Sequence, residues 1–161
     1  MDIYLIQHGQ ALSAEQDPQR PLSEEGRVAT ARVADHLAAL GTRLISPPIT
    51  QVRHSGKLRA QQTAEIYARA LCPDVVPEPV EGMNPKDDPR MVYEELTARR
   101  ERDEALLLVG HLPHLARLAG LLLTGDAERM PVRFANAGVL KISSGQEGWA
   151  VEWYITPACV R

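Results

Sequence analysis

Two short runs without a polar residue constrain this chain most: residues 3–6 (Ile-Tyr-Leu-Ile) and residues 105–109 (Ala-Leu-Leu-Leu-Val). A strand with one face in water alternates apolar and polar side chains. A strand apolar throughout is covered on both faces, as in a parallel sheet flanked by helices. Both runs stop at a histidine next to a glycine, His8-Gly9 and Gly110-His111.

Helical patterns separate the runs. Ser23 followed by Glu24 and Glu25 predicts an N-cap with a dipole-favourable first turn. Val28, Ala31, Ala34, Leu37 and Ala38 then keep a 3.6-residue spacing up to a stop at Gly41. Pro47-Pro48 precedes a short mixed strand at residues 50–54, and a helix over 58–71 presents Ala60, Ala64, Tyr67, Ala68 and Leu71. Five prolines and one glycine between Cys72 and Pro89 predict a long loop, followed by a helix from Arg90 that ends before Asp103. After the strand at 105–109, Pro113 suits the first turn of a helix carrying Leu115, Leu118, Ala119 and Leu122. Residues 139–142 and 149–155 read as the arms of a hairpin. This order predicts an α/β fold: a three-layer α/β/α arrangement of a mostly parallel sheet with helices on both faces and an antiparallel C-terminal hairpin. A length of 161 residues suits one domain spanning 1–161.

Composition narrows the function classes. A net charge of −3 and seven aromatic residues argue against nucleic-acid or anionic-membrane binding. No apolar run approaches a membrane span, and the acidic Asp2 and brief apolar run do not resemble a signal peptide. Cys72 and Cys159 are too few for a disulfide framework and lack metal-ligand spacing. The expectation is a cytoplasmic monomer without metal or cofactor.

In open α/β sheets ligands bind beyond the carboxyl ends of the strands. Three segments qualify: Gln7-His8-Gly9, residues 55–59, and Gly110-His111. Two histidines and an arginine suit phosphoryl transfer, because neutral imidazole can attack phosphorus while guanidinium and a second imidazole stabilise the equatorial oxygens.

Four ordered blocks carry a family resemblance: Ile6-Gln7-His8-Gly9-Gln10-Ala11, Arg20-Pro21-Leu22-Ser23-Glu24-Glu25-Gly26, His54-Ser55-Gly56-Lys57-Leu58-Arg59-Ala60-Gln61-Gln62-Thr63-Ala64, and Gly110-His111-Leu112-Pro113. Together they resemble the histidine phosphatase (phosphoglycerate-mutase-like) superfamily and, in length and order, its SixA-type phosphohistidine phosphatases. The resemblance implies a phosphatase in which His8 is the nucleophile, Arg59 and His111 contact the phosphoryl group, and Gly9 and Arg20 lie at the substrate. It implies a phosphorylated protein, such as a histidine phosphorelay domain, or a small phosphorylated molecule as substrate.

Position 7 departs from the pattern. The family motif has arginine there, whereas Gln7 can donate a hydrogen bond but brings no charge. Losing one charge-assisted contact of ~1.5–3 kcal/mol corresponds to roughly a tenfold to hundredfold loss of rate. Lys57 and Arg20 are the candidates to restore the charge, and a catalytically weak phosphate- or phosphoprotein-binding module is the alternative to an enzyme. The general acid of related phosphomonoesterases has no clear counterpart; Glu81, Asp87 and Asp88 are the candidates. Phosphohistidine needs that acid least, because its nitrogen leaves readily once protonated.

Outside these blocks, ordinary structural roles are expected. His36 and His54 read as structural, His114 as a helix-surface or supporting residue, and residues 99–104 as a solvated helix end.

Overall fold

The computed structural model describes all 161 residues. β1 (Asp2–Gln7) leads through a loop to α1 (Glu24–Leu40), β2 (Ile49–His54) to α2 (Leu58–Leu71), and a two-residue strand β3 (Glu78–Pro79) precedes α3 (Arg90–Ala98). β4 (Ala105–Gly110), α4 (His114–Thr124), β5 (Val139–Gly145) and β6 (Gly148–Ile155) complete the chain. The sheet order is β3-β2-β4-β1-β5-β6. β1 to β4 run parallel where they pair, and β5 and β6 are antiparallel additions.

The apolar runs are continuous because the sheet has a core on each face. Tyr4, Ile6, Leu107 and Val109 pack with Val33, Leu37, Ala60 and Tyr67 of α1 and α2. Ile3, Leu5, Leu106 and Leu108 point the other way, to Leu96 of α3 and to Leu115 and Leu118 of α4. Period-2 alternation thus feeds two cores, and the three-layer expectation holds. No helix is long and apolar enough to cross a membrane.

Helix ends follow their signals. Ser23 Oγ accepts from Gly26 N–H at 3.0 Å, and Gly41 follows α1 at φ +51°. Gly125, left-handed at φ +73°, ends α4 with its N–H on Leu121 O.

Some expectations need correction. Val28 is 55% exposed, and α1 instead buries Gly26, Thr30, Val33, Ala34 and Leu37. The cause is Gly26: a Cβ there would sit 2.0 Å from Gln10 O, so close approach to the loop after β1 rotates the buried stripe. The long proline-rich connection contains β3, whose pairing extends the sheet beside β2. Residues 99–104 are not simply solvated, since Arg99 grips Glu104 through Nε and Nη2, each at 2.8 Å, and reaches Glu95 through Nη1. Pro113 stands immediately before α4 rather than inside its first turn.

Candidate active site

β1 and β4 are neighbours, but the helices that follow them, α1 and α4, belong to opposite cores. Their carboxyl ends therefore open into a crevice where the strand connections diverge, the position at which α/β sheets bind ligands. His8 follows β1 and His111 follows β4, and their rings lie 4.9 Å apart between centroids, tilted by 57°. From β2, Ser55 and the start of α2 bring Arg59 to the same place.

The hydrogen bonds assign the state of His8. Its Nδ1 lies 2.7 Å from Gly9 O. A carbonyl only accepts, so Nδ1 carries the proton. Nε2 keeps its lone pair and receives Arg59 Nε–H at 3.3 Å. Burial pushes the His8 pKa below its ordinary range; the Gly9 bond opposes that, and the charges of Arg59 and Arg20 add to it. The ring is thus neutral at physiological pH, as a nucleophile must be.

His111 is 2% exposed and pairs through Nε2 with Ser55 Oγ at 2.5 Å, while its Nδ1 has no partner. Burial, then the charges of His8, Arg59, Lys57 and His114, pushes its pKa down to about 3. No carboxylate figures among the groups acting on His8 or His111, and the cations that do act make this a place prepared for an anion.

The other expected residues divide. Arg20 is exposed, at φ +50°, with Nε on Leu12 O at 3.1 Å, in a loop closed by the Ala11 and Leu22 bridge. Its charge is felt at both His8 and Arg59. Lys57 is exposed and its charge is felt at His111. Gln7 is half-buried; its Oε1 is buried with no partner. Gly9, expected at the substrate, also has a structural part. Its N–H donates to Thr63 Oγ1 at 3.0 Å and its carbonyl holds His8. A Cβ there would lie 2.5 Å from Thr30 Oγ1, so glycine is required for packing.

Glu81, Asp87 and Asp88 do not join the cluster. They line a separate cleft of about 540 Å³ with Gly82, Asn84 and Met91. Asp87 Oδ2 accepts from Asn84 N–H at 2.8 Å and Asp88 Oδ1 from Arg90 N–H at 3.0 Å. A second cleft of similar size, between α1 and Val160, also lies away from His8 and His111. Volume is no guide to the chemistry here.

Of the two roles expected of His114, the surface one fails: the residue is fully buried, its nitrogens make no hydrogen bond of good geometry, and the Gly82 backbone with the Asp87 and Asp88 carboxylates acts on its ring. His54 has the structural role expected, with Nδ1 accepting from Gly56 N–H at 3.1 Å where the chain turns at φ +81°.

Sequence reasoning placed Ser55 in a strand-end segment without giving it a role, and it missed two supporting residues. Thr63 lies in the third block one helical turn after Arg59, where i,i+4 spacing could have suggested it. Asn136 Nδ2 donates to His8 O at 2.9 Å from 128 positions away, with no local signal.

No protein-family model matches the chain. An uncharacterised protein of a Picosynechococcus species is 32% identical over 157 residues, covering 90% of this chain and 86% of that protein. Among solved structures, the protein histidine phosphatase SixA complexed with tungstate superposes at a TM-score of 0.82 with 25% identity over 98% of each chain. The alpha-ribazole phosphatase of Shigella flexneri, at TM-score 0.68, 15% identity and coverage of 98% and 97%, shares the fold. So does a phosphoserine phosphatase of Entamoeba histolytica, at TM-score 0.70, 13% identity and 99% of each chain.

Proposed function

Because the chain belongs to the histidine phosphatase superfamily, we propose that it is a metal-independent phosphatase that hydrolyses phosphohistidine in a protein through a covalent intermediate on His8. The carrying observation is the state of His8: Nδ1–H tied to Gly9 O, and an unprotonated Nε2 whose lone pair is held by Arg59 Nε–H.

In this reading Nε2 attacks phosphorus, the new P–N bond forms as the substrate's P–N bond breaks, and the departing imidazole takes a proton from solvent. Water then attacks phosphorus, releasing phosphate and regenerating neutral His8. Arg59 and His111 face the phosphoryl oxygens, whose negative charge offsets the mutual repulsion of the cluster. Once the phosphoryl group is bound, His111 gains a reason to hold a proton that the empty site denies it.

Two observations favour phosphohistidine over an alcohol phosphate. Glu81, Asp87 and Asp88 make no hydrogen bond or ion pair with His8, Arg59 or His111, and phosphohistidine depends least on an enzymic acid because its nitrogen leaves readily once protonated. The SixA structure, named as a protein histidine phosphatase, is similar over nearly the whole chain. The free cysteines Cys72 and Cys159 accord with a reducing, cytoplasmic setting, and we take the acting form to be a monomer on a phosphorylated protein partner.

Gln7 supports a second reading, a phosphate-binding module of low turnover, because it removes a charge at the nucleophile's neighbour. The test is phosphate release in the presence of chelator from a phosphohistidine peptide and from an aryl phosphate. The enzyme reading requires turnover that His8→Ala abolishes, and a peptide rate above the aryl rate. Binding without release by wild type, with release appearing in Gln7→Arg, would establish the second reading.

A further inference from the structure

The peptide group joining His8 to Gly9 is held from both sides, and one holder comes from outside the sequence motifs. β1 ends at Gln7, so the His8 carbonyl leaves the ladder without a strand partner. Asn136 Nδ2 donates to that carbonyl at 2.9 Å. On the opposite side of the same peptide, Gly9 N–H donates to Thr63 Oγ1, which in turn donates to Arg59 O at 2.7 Å. Fixing this plane anchors the backbone on one side of Gly9, whose own carbonyl, in the next peptide group, holds His8 Nδ1–H.

The turn that delivers Asn136 is built under constraint. Ala137 is buried at φ +59°, a conformation that costs a residue with a Cβ. Its N–H donates to Gln7 O at 2.9 Å and, more weakly, to His8 O at 3.4 Å, and its carbonyl accepts Tyr67 O–H at 2.7 Å. Ala135 N–H donates to Tyr154 Oη at 2.7 Å, and Tyr154 O–H donates to Arg133 O at 3.2 Å. Two tyrosines from different elements thus stabilise a strained turn, and the exposed side chain it directs at the nucleophile's main chain is Asn136.

We propose that Asn136 is a positioning residue for His8: by anchoring the His8 carbonyl it keeps the ring in the Nδ1–H tautomer and presents the Nε2 lone pair. The inference rests on His8 being the nucleophile. It predicts an effect on the chemical step and none on anion binding, because Asn136 acts through His8.

The experiment uses the full chain carrying Asn136→Ala and Asn136→Gln. With an aryl phosphate, Asn136→Ala is expected to lower kcat about tenfold with KM unchanged, the size of one lost hydrogen bond. Inorganic phosphate affinity and melting temperature stay at wild-type values, since the side chain is exposed. Asn136→Gln keeps the amide donor on an adjustable stem and recovers most of the rate. Nitrogen NMR of the imidazoles shows His8 protonated at Nδ1 in wild type and a mixture of tautomers in Asn136→Ala. An unchanged tautomer in Asn136→Ala, or a kcat loss that tracks a lower melting temperature, overturns the proposal. A tautomer change in a chain whose wild type turns over no phosphate ester or phosphoramidate would sink the phosphatase reading and leave the positioning role standing.

Discussion

The two ends of β1 are both polar and both largely hidden, yet they are built on opposite rules. At the amino end, Asp2 pairs with Lys141 Nζ at 2.7 Å and accepts Ser143 O–H at 2.7 Å. Lys141 also reaches Leu44 O and Ser46 O and lies over the Tyr4 ring. Opposite charges meet and their hydrogen-bonding groups are used. At the carboxyl end, Gln7 Oε1 and His111 Nδ1 are buried without partners, and the cations Arg59, Arg20 and Lys57 act on His8 and His111 with no carboxylate to balance them. The first end closes the fold. The second holds unmet hydrogen-bonding capacity and unbalanced charge, which a phosphoryl dianion would relieve.

The sharpest way to break that contrast is at His8, the proposed nucleophile. His8→Ala is expected to lower kcat on the order of 10⁴-fold while inorganic phosphate still binds, because Arg59 and His111 remain. Measured turnover near wild type would remove the carboxyl end from catalysis altogether. At the other end, Lys141→Met should cost about 3 kcal/mol in urea unfolding, since it strands a mostly buried carboxylate, and leave kcat unchanged. A rate loss there would show that the two ends are coupled.

Gln7→Arg adds the charge absent beside the nucleophile and is expected to raise kcat/KM roughly tenfold to hundredfold. No gain would mean that Arg20 or Lys57 already supplies the charge, and steady-state kinetics of Arg20→Ala and Lys57→Ala in both backgrounds would say which.

The smallest effect concerns acid. Burial holds the pKa values of His8, His54, His111 and His114 below the ordinary imidazole value. The unfolded chain therefore binds more protons than the folded one below about pH 6.5, and stability falls as pH drops through that window. Above it the penalty is absent. Thermal unfolding at pH 7 and pH 5 should show a lower melting temperature at pH 5. His114→Leu should reduce that difference, because it removes one buried imidazole whose pKa burial holds low. A steeper pH dependence in this variant would contradict the assignment.

Much of this molecule is legible in one dimension. Uninterrupted apolar runs require cover on both faces, and helical spacing supplies the cover, so layer order and most element bounds follow from residues 3–6, 58–71 and 105–109. His8, Arg59 and His111 were legible for a related reason: each stands directly after a strand or at the start of a helix, where the chain itself carries it to the sheet's edge. Val28 and His114 were misread because a helix's inward face depends on what it meets. Gly26 pressed on Gln10 rotates one helix, and packing of α4 against the sheet swallows the other residue.

What the sequence by itself determined is the set of candidate side chains and the sheet that gathers them, since both depend on local pattern and strand-end position. Only the tertiary structure decided their chemical state. The proton on His8 Nδ1, the amide of Asn136 that braces it from 128 residues away, and the neutrality of His111 are products of hydrogen bonds and burial between distant segments, and no periodicity along the chain encodes those distances.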